Sequence, residues 1–163
     1  YIKMSQVDEH LKWCLKDSKR LVKAIPNLNL AQKHIEKSEH NYSVVQTLEG
    51  LKLYDWALNV GFYAIYHCFL AILAKQGYES KNQACTVTAL LSLINEGKLN
   101  LDKDLVNQFD TLDVEKNITN PTIRESREIS TYGVETSIDL QQLKRIKELI
   151  LKVQRETIRV LKE

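Results

Sequence analysis

The side chains of this sequence that could do chemistry are its histidines, its cysteines and one acidic stretch. Two histidines on one helix face can share a metal, but His34 and His40 stand six residues apart and fall on different faces. Both are expected at the surface. His67 is the one strongly polar side chain in the apolar run from Val60 to Ala74. A histidine there is expected to be a core residue bonded to a backbone or hydroxyl partner, not a catalyst. Cys14, Cys68 and Cys85 are far apart, odd in number and form no CxxC pair. That pattern points to reduced thiols rather than to a disulfide frame or a zinc centre. Asp102, Asp104, Asp110, Asp113 and Glu115 make one segment acidic, but they spread round the helix they would form. A solvated or partner-facing surface is expected of them, not a metal site. With no Gly-rich phosphate loop and no Ser-His-Asp set either, the expectation is no metal and no cofactor.

These groups have to be positioned by helices. The stretch from Tyr54 to Gly77 is apolar almost throughout between Val60 and Ala74, without proline or a turn pair. It reads as a helix buried on most sides. A membrane span needs about 20 apolar residues; this run is shorter and carries His67, so no membrane insertion is expected. Ala57, Gly61, Ala64 and Ala71 are small enough to let neighbouring helices approach. Upstream, residues 4–24 read as one amphipathic helix, with Lys12, Lys16, Lys19, Arg20 and Lys23 opposite the apolar stripe as a solvated or phosphate-contacting face. Ile25-Pro26-Asn27 breaks it. A second helix is expected from Leu28 to Leu51.

Downstream, Glu79 to Gln83 reads as a polar loop and residues 84–96 as a short helix. Asp102 is the expected cap of a helix bearing Leu105, Phe109 and Leu112. Lys116 to Asn120 interrupts the pattern, Asn120-Pro121 restarts it, and a short helix ends near Tyr132-Gly133. The last helix starts near Ser137. Its seam of Leu143, Ile146, Ile150, Val153, Thr157 and Val160 is heptad-like, which is expected to exceed what one chain can cover. The chain has 163 residues, 44% of them hydrophobic, and few Gly or Pro, so one all-α domain is expected. The net charge of +2 gives no global sign of nucleic-acid binding. No secretory leader is read, and a cytoplasmic protein is expected.

The order of these features resembles the HEPN domain family over roughly residues 28–163, leaving 1–27 as an N-terminal helical extension. The resemblance is carried by Phe62, Tyr63, Ala64, Tyr66, His67 and Gly77 in the central helix. The loop and short helix from Lys81 to Glu96, then Arg127 shortly before Tyr132-Gly133, and a long closing helix complete it. It implies an antiparallel bundle of about five or six helices that forms a homodimer. Many such domains are metal-independent ribonucleases, often toxins paired with a nucleotidyltransferase. Their site is an Arg followed four to six residues later by a His. Here Tyr132 stands where that His would be, and Glu128 follows Arg127. Tyr titrates near 10 and is a poor base at neutral pH, while an Arg can still hold a phosphate. Arg124, Arg127 and Tyr132 are therefore the candidate phosphate- or RNA-binding residues, with no catalytic residue assigned. The expectation is a catalytically silent, dimeric module that binds RNA, a nucleotide or a partner such as a nucleotidyltransferase. The alternatives are a ribonuclease whose site borrows a His from elsewhere, and a purely structural subunit.

Overall fold

The computed structural model describes residues 5–110, 122–134 and 140–163. Among them are seven α-helices and one two-stranded sheet: α1 (Gln6–Leu15), β1 (Leu21–Lys23), α2 (Leu28–Gly50), α3 (Tyr54–Gln76), β2 (Tyr78–Ser80), α4 (Gln83–Asn95), α5 (Lys103–Phe109), α6 (Ile123–Tyr132) and α7 (Leu140–Lys162). The all-α class stands, with seven helices where five or six were expected. Leu112, the break after Lys116, the Asn120-Pro121 restart and the Ser137 start lie outside the described residues.

The organising helix is α3, which α2, α6 and α7 cover. Twelve of its residues are buried, including Ala57, Gly61, Ala64 and Ala71. α2 and α3 form a hairpin whose turn includes Lys52, held at φ 60°. α7 lies antiparallel to α2 and parallel to α3. Gln154 reaches Ser38 and Lys147 reaches Glu49, whereas Lys75 Nζ donates to the Val160 carbonyl. α6 runs antiparallel to α3, since Asn59 bonds Thr131 while Arg127 sits over Phe62. Small residues bring the axes together. A Cβ on Gly61 would meet Ile146 Cγ2 at 3.1 Å and Ile150 Cδ1 at 3.4 Å. The expected seam on α7 is buried, but inside one chain: Leu143, Ile146, Ile150, Val153, Thr157 and Val160 all face the core.

The N-terminal region departs from expectation. Residues 4–24 are not one helix. Asp17 ends α1 by turning the chain: its carboxylate accepts the Lys19 N–H and its carbonyl accepts the Arg20 N–H, both at 2.9 Å. Leu21–Lys23 then pairs antiparallel with Tyr78–Ser80, so the supposed polar loop after α3 begins as a strand. Gly77 makes this possible. Its φ of 87° suits a helix C-cap, and a Cβ there would stand 2.8 Å from the Ala24 carbonyl oxygen. The reduced-thiol expectation is also corrected: Cys14 and Cys85 form a disulfide between α1 and α4, with Cα atoms 5.8 Å apart. The 71-residue separation hides it from spacing arguments. Cys68 is free and buried.

The close α2–α3 contact is testable. Ala64 is fully buried and its carbonyl accepts the Ser38 hydroxyl at 2.6 Å. Ala64→Leu is expected to force the helices apart and lower stability by about 1–3 kcal/mol. Denaturant melts of native and variant protein check this, and an unchanged midpoint would count against the packing described.

Candidate functional site

Arg124, Arg127 and Tyr132 all lie on α6, which starts at the Thr122 cap with a hydroxyl that accepts the Glu125 N–H. The helix brings the two arginines together around Glu128, and Tyr132 lies one turn beyond that residue. Arg124 Nη1 donates to Asp110 Oδ2 at 2.9 Å, and its Nε stands 3.4 Å from Glu128 Oε1. That second approach is an ion-pair distance without hydrogen-bond alignment. Burial alone would lower the Arg124 pKa, but Asp110 and Glu128 outweigh it and the guanidinium is held more firmly charged. Asp110, read from sequence as part of a solvated acidic surface, is 6% exposed.

Arg127 is more deeply placed, with a side chain only 11% exposed. Its guanidinium carbon lies 4.7 Å from the Phe62 ring centroid and 5.9 Å from that of Tyr63. Glu128 Oε1 stands 3.8 Å from its Nη2. Arg127 is thus turned to the aromatic segment of α3, while Arg124, with 36% of its side chain exposed, pairs with an acid at the α5 end. Tyr132, at the last turn of α6, is 78% exposed and points its ring to solvent.

The surface around these residues is apolar rather than basic. Ile129, Tyr132 and Val134 at the end of α6 are exposed, as are Trp56 and Tyr63 on α3. Trp56 and Tyr63 share the α3 face of Asn59, which bonds Thr131 of α6. A groove of about 730 Å³ lies among α2, α3 and α7. Its charged lining, Lys144 and Lys147 against Glu49 and Glu148, cancels, and Lys147 is already paired with Glu49 at 3.1 Å. That lining is not the continuous positive stripe that tracks a phosphate backbone.

His40 is exposed as expected, but His34 is not a surface residue: it is half-buried, and its Nδ1 lies 3.0 Å from Nδ1 of His67. The His67 partner is thus a second imidazole on α2 rather than a backbone or hydroxyl group. Helical patterning could have paired α2 with α3, but not the register that aligns these two rings. One Nδ1 donates and the other accepts, which requires the accepting ring to be neutral. Burial lowers both pKa values; for His67, the neighbouring His34 and Lys37 add to burial and bring it to about 4. The pair sits on the α2 side of α3, whereas α6 carries no histidine. His10 bonds Thr88 and His40 is exposed on α2.

Because the His67 pKa is lowered on folding from 6.5 to about 4, the unfolded chain takes up its proton first as the pH drops. The stability given by the neutral pair is complete above the unfolded value and is lost as the pH falls toward the folded one. Thermal melts at about pH 7 and about pH 5 are expected to show a larger drop for the native chain than for His67→Gln. Equal drops would show that the pair does not titrate as described.

No family model matches the chain, and no curated protein is similar to it, so what these residues do is argued from their own geometry.

Proposed function

We propose that the chain is a HEPN-like interaction module that works as a homodimer and does not cleave RNA. The observation that carries this reading is the engagement of both arginines. Arg124 is bound to Asp110 and Glu128, and Arg127 is buried on Phe62. Releasing either to a phosphate would leave a buried carboxylate or an aromatic platform without its cation. General acid-base catalysis near neutrality needs a group that titrates there. Tyr132 is not one, and the histidines have partners or positions on α1, α2 and α3 rather than α6.

What supports self-association or partner binding is the exposed apolar set on α3 and α6, not the α7 seam, which one chain covers. A nucleotidyltransferase partner of toxin–antitoxin type, and weak binding of RNA or a nucleotide, belong to the same proposal. So does a cytoplasmic location, in which the Cys14–Cys85 bond would have to be reduced. α3, the one described helix long and apolar enough to cross a membrane, has 67% of its most apolar window buried in the protein.

Purified protein incubated with labelled single-stranded RNA in the absence of metal is expected to leave the RNA intact. Sedimentation at micromolar concentration is expected to give a dimer. Arg127→Ala is expected to lose about 1–2 kcal/mol of stability, because a desolvated cation–aromatic contact goes, without changing any weak RNA retention. Cleavage that disappears in Arg127→Ala, while the variant remains folded, would overturn the silent-module reading in favour of a nuclease. A monomer would remove the dimer.

A further inference from the structure

The appended helix α1 meets α4 at a cluster that the arginine site does not use. His10 and Cys14 are four residues apart and therefore on one face of α1. The Cys14 Sγ lies 3.7 Å from His10 Nδ1 and is bonded to the Sγ of Cys85. One nitrogen and two sulfurs thus fall within 4.8 Å of one another. Two thiolates and an imidazole are a ligand set that zinc accepts in tetrahedral geometry, with a fourth position left for water. We infer that His10, Cys14 and Cys85 are a Zn2+ site that the disulfide keeps closed and that reduction opens.

The local chemistry favours the open form once electrons are supplied. Cys85 is in the first turn of α4, where the helix N-terminus stabilises a thiolate. Both sulfurs are buried, while His10 is half-exposed, so the missing ligand can enter from the solvent side. In the closed form His10 Nδ1 donates to Thr88 Oγ1 at 2.6 Å, since that hydroxyl already donates to the Ala84 carbonyl. Opening requires the proton to move to Nε2, freeing the Nδ1 lone pair for the metal.

The step balances as follows. A dithiol reductant gives two electrons and two protons to the Cys14–Cys85 bond and closes to its own disulfide. The two protein sulfurs become thiols. Zn2+ then displaces both thiol protons to solvent as it binds. Either state joins the same two helices. Beside that link, α1 packs through the half-buried Val7, Leu11 and Leu15 and the His10–Thr88 hydrogen bond. In a reducing compartment the metal would take over the cross-link that the disulfide makes in an oxidising one. The inference does not depend on the interaction-module reading.

The test uses the full chain in two states: as isolated, and reduced with a phosphine, which leaves as its oxide, then desalted without air. Each is titrated with Zn2+ against a chromophoric chelator. The reduced chain is expected to take up about one Zn2+ per chain and the disulfide form almost none. Cys85→Ser and His10→Ala are expected to weaken uptake at least about tenfold, and Cys68→Ala to leave it unchanged. Should the variants unfold, Co2+ substitution of the reduced native chain decides, through the thiolate-to-cobalt band in the near-ultraviolet and the tetrahedral ligand-field bands in the visible. Equal uptake by the two states, uptake undiminished in folded Cys85→Ser, or Co2+ spectra without thiolate bands would overturn the inference.

Discussion

The Ser38 hydroxyl lies where α2, α3 and α7 come closest, and its three bonds join them. It donates to the Ala64 carbonyl on α3 at 2.6 Å and accepts Gln154 Nε2 of α7 at 3.0 Å. The Cys68 thiol completes the set at 3.2 Å. As the hydroxyl proton is committed to Ala64, the thiol is the donor in that third bond. Such a node is tolerable in a core only because every valence of the hydroxyl is used; a partly satisfied one would cost more than an apolar replacement. Burial pushes the Cys68 thiol up to about 11, so at neutral pH it holds the proton that the node requires. The node in turn demands small residues nearby. Gly61 and Ala64 bring the helices within reach, and larger side chains at those positions would separate Ser38 from its partners.

Much of this frame was legible because it is periodic. The apolar run of α3, the stripe of α7 and the cap at Asp102 are local signals that tertiary packing reinforced. What could not be read depends on partners distant in sequence. Leu21–Lys23 is a strand because Tyr78–Ser80 is beside it, and without that neighbour its residues continue an amphipathic helical pattern. Cys14 meets Cys85 only because α1 packs on α4, and His34 meets His67 only through the α2–α3 register. The positions of Arg124 and Arg127 were legible as well, but not their employment, which Asp110 and Phe62 decide.

That employment follows from a competition between two environments. A guanidinium on an exposed helix face is available to phosphate, and salt screens whatever acid stands near it. The same group turned onto a buried carboxylate or an aromatic face loses hydration, and those partners become its only adequate replacement for water. Arg124 and Arg127 took the second course because α6 packs on α3 with that face inward. Ser126, between them, is buried as well, and its hydroxyl accepts Gln142 of α7. The helix is thus anchored on both sides of each arginine, and turning one outward would require α6 to rotate away from its contacts.

The α7 seam carries a more general point about partners. Residues spaced by three and four describe a stripe that needs cover, but the spacing is silent on whether cover comes from a second chain or from the same one. Here α2 and α3 provide it: Ile146 and Ile150 fill the space that Gly61 leaves open, and Gln154 turns its amide to Ser38. With the seam closed, exposed apolar side chains stand elsewhere, among them Trp56 and Tyr63 on the opposite side of α3 and Ile129 and Tyr132 on α6. Single exposed apolar residues are ordinary on any protein. Four on two packed helices are the ground on which the interaction-module proposal rests.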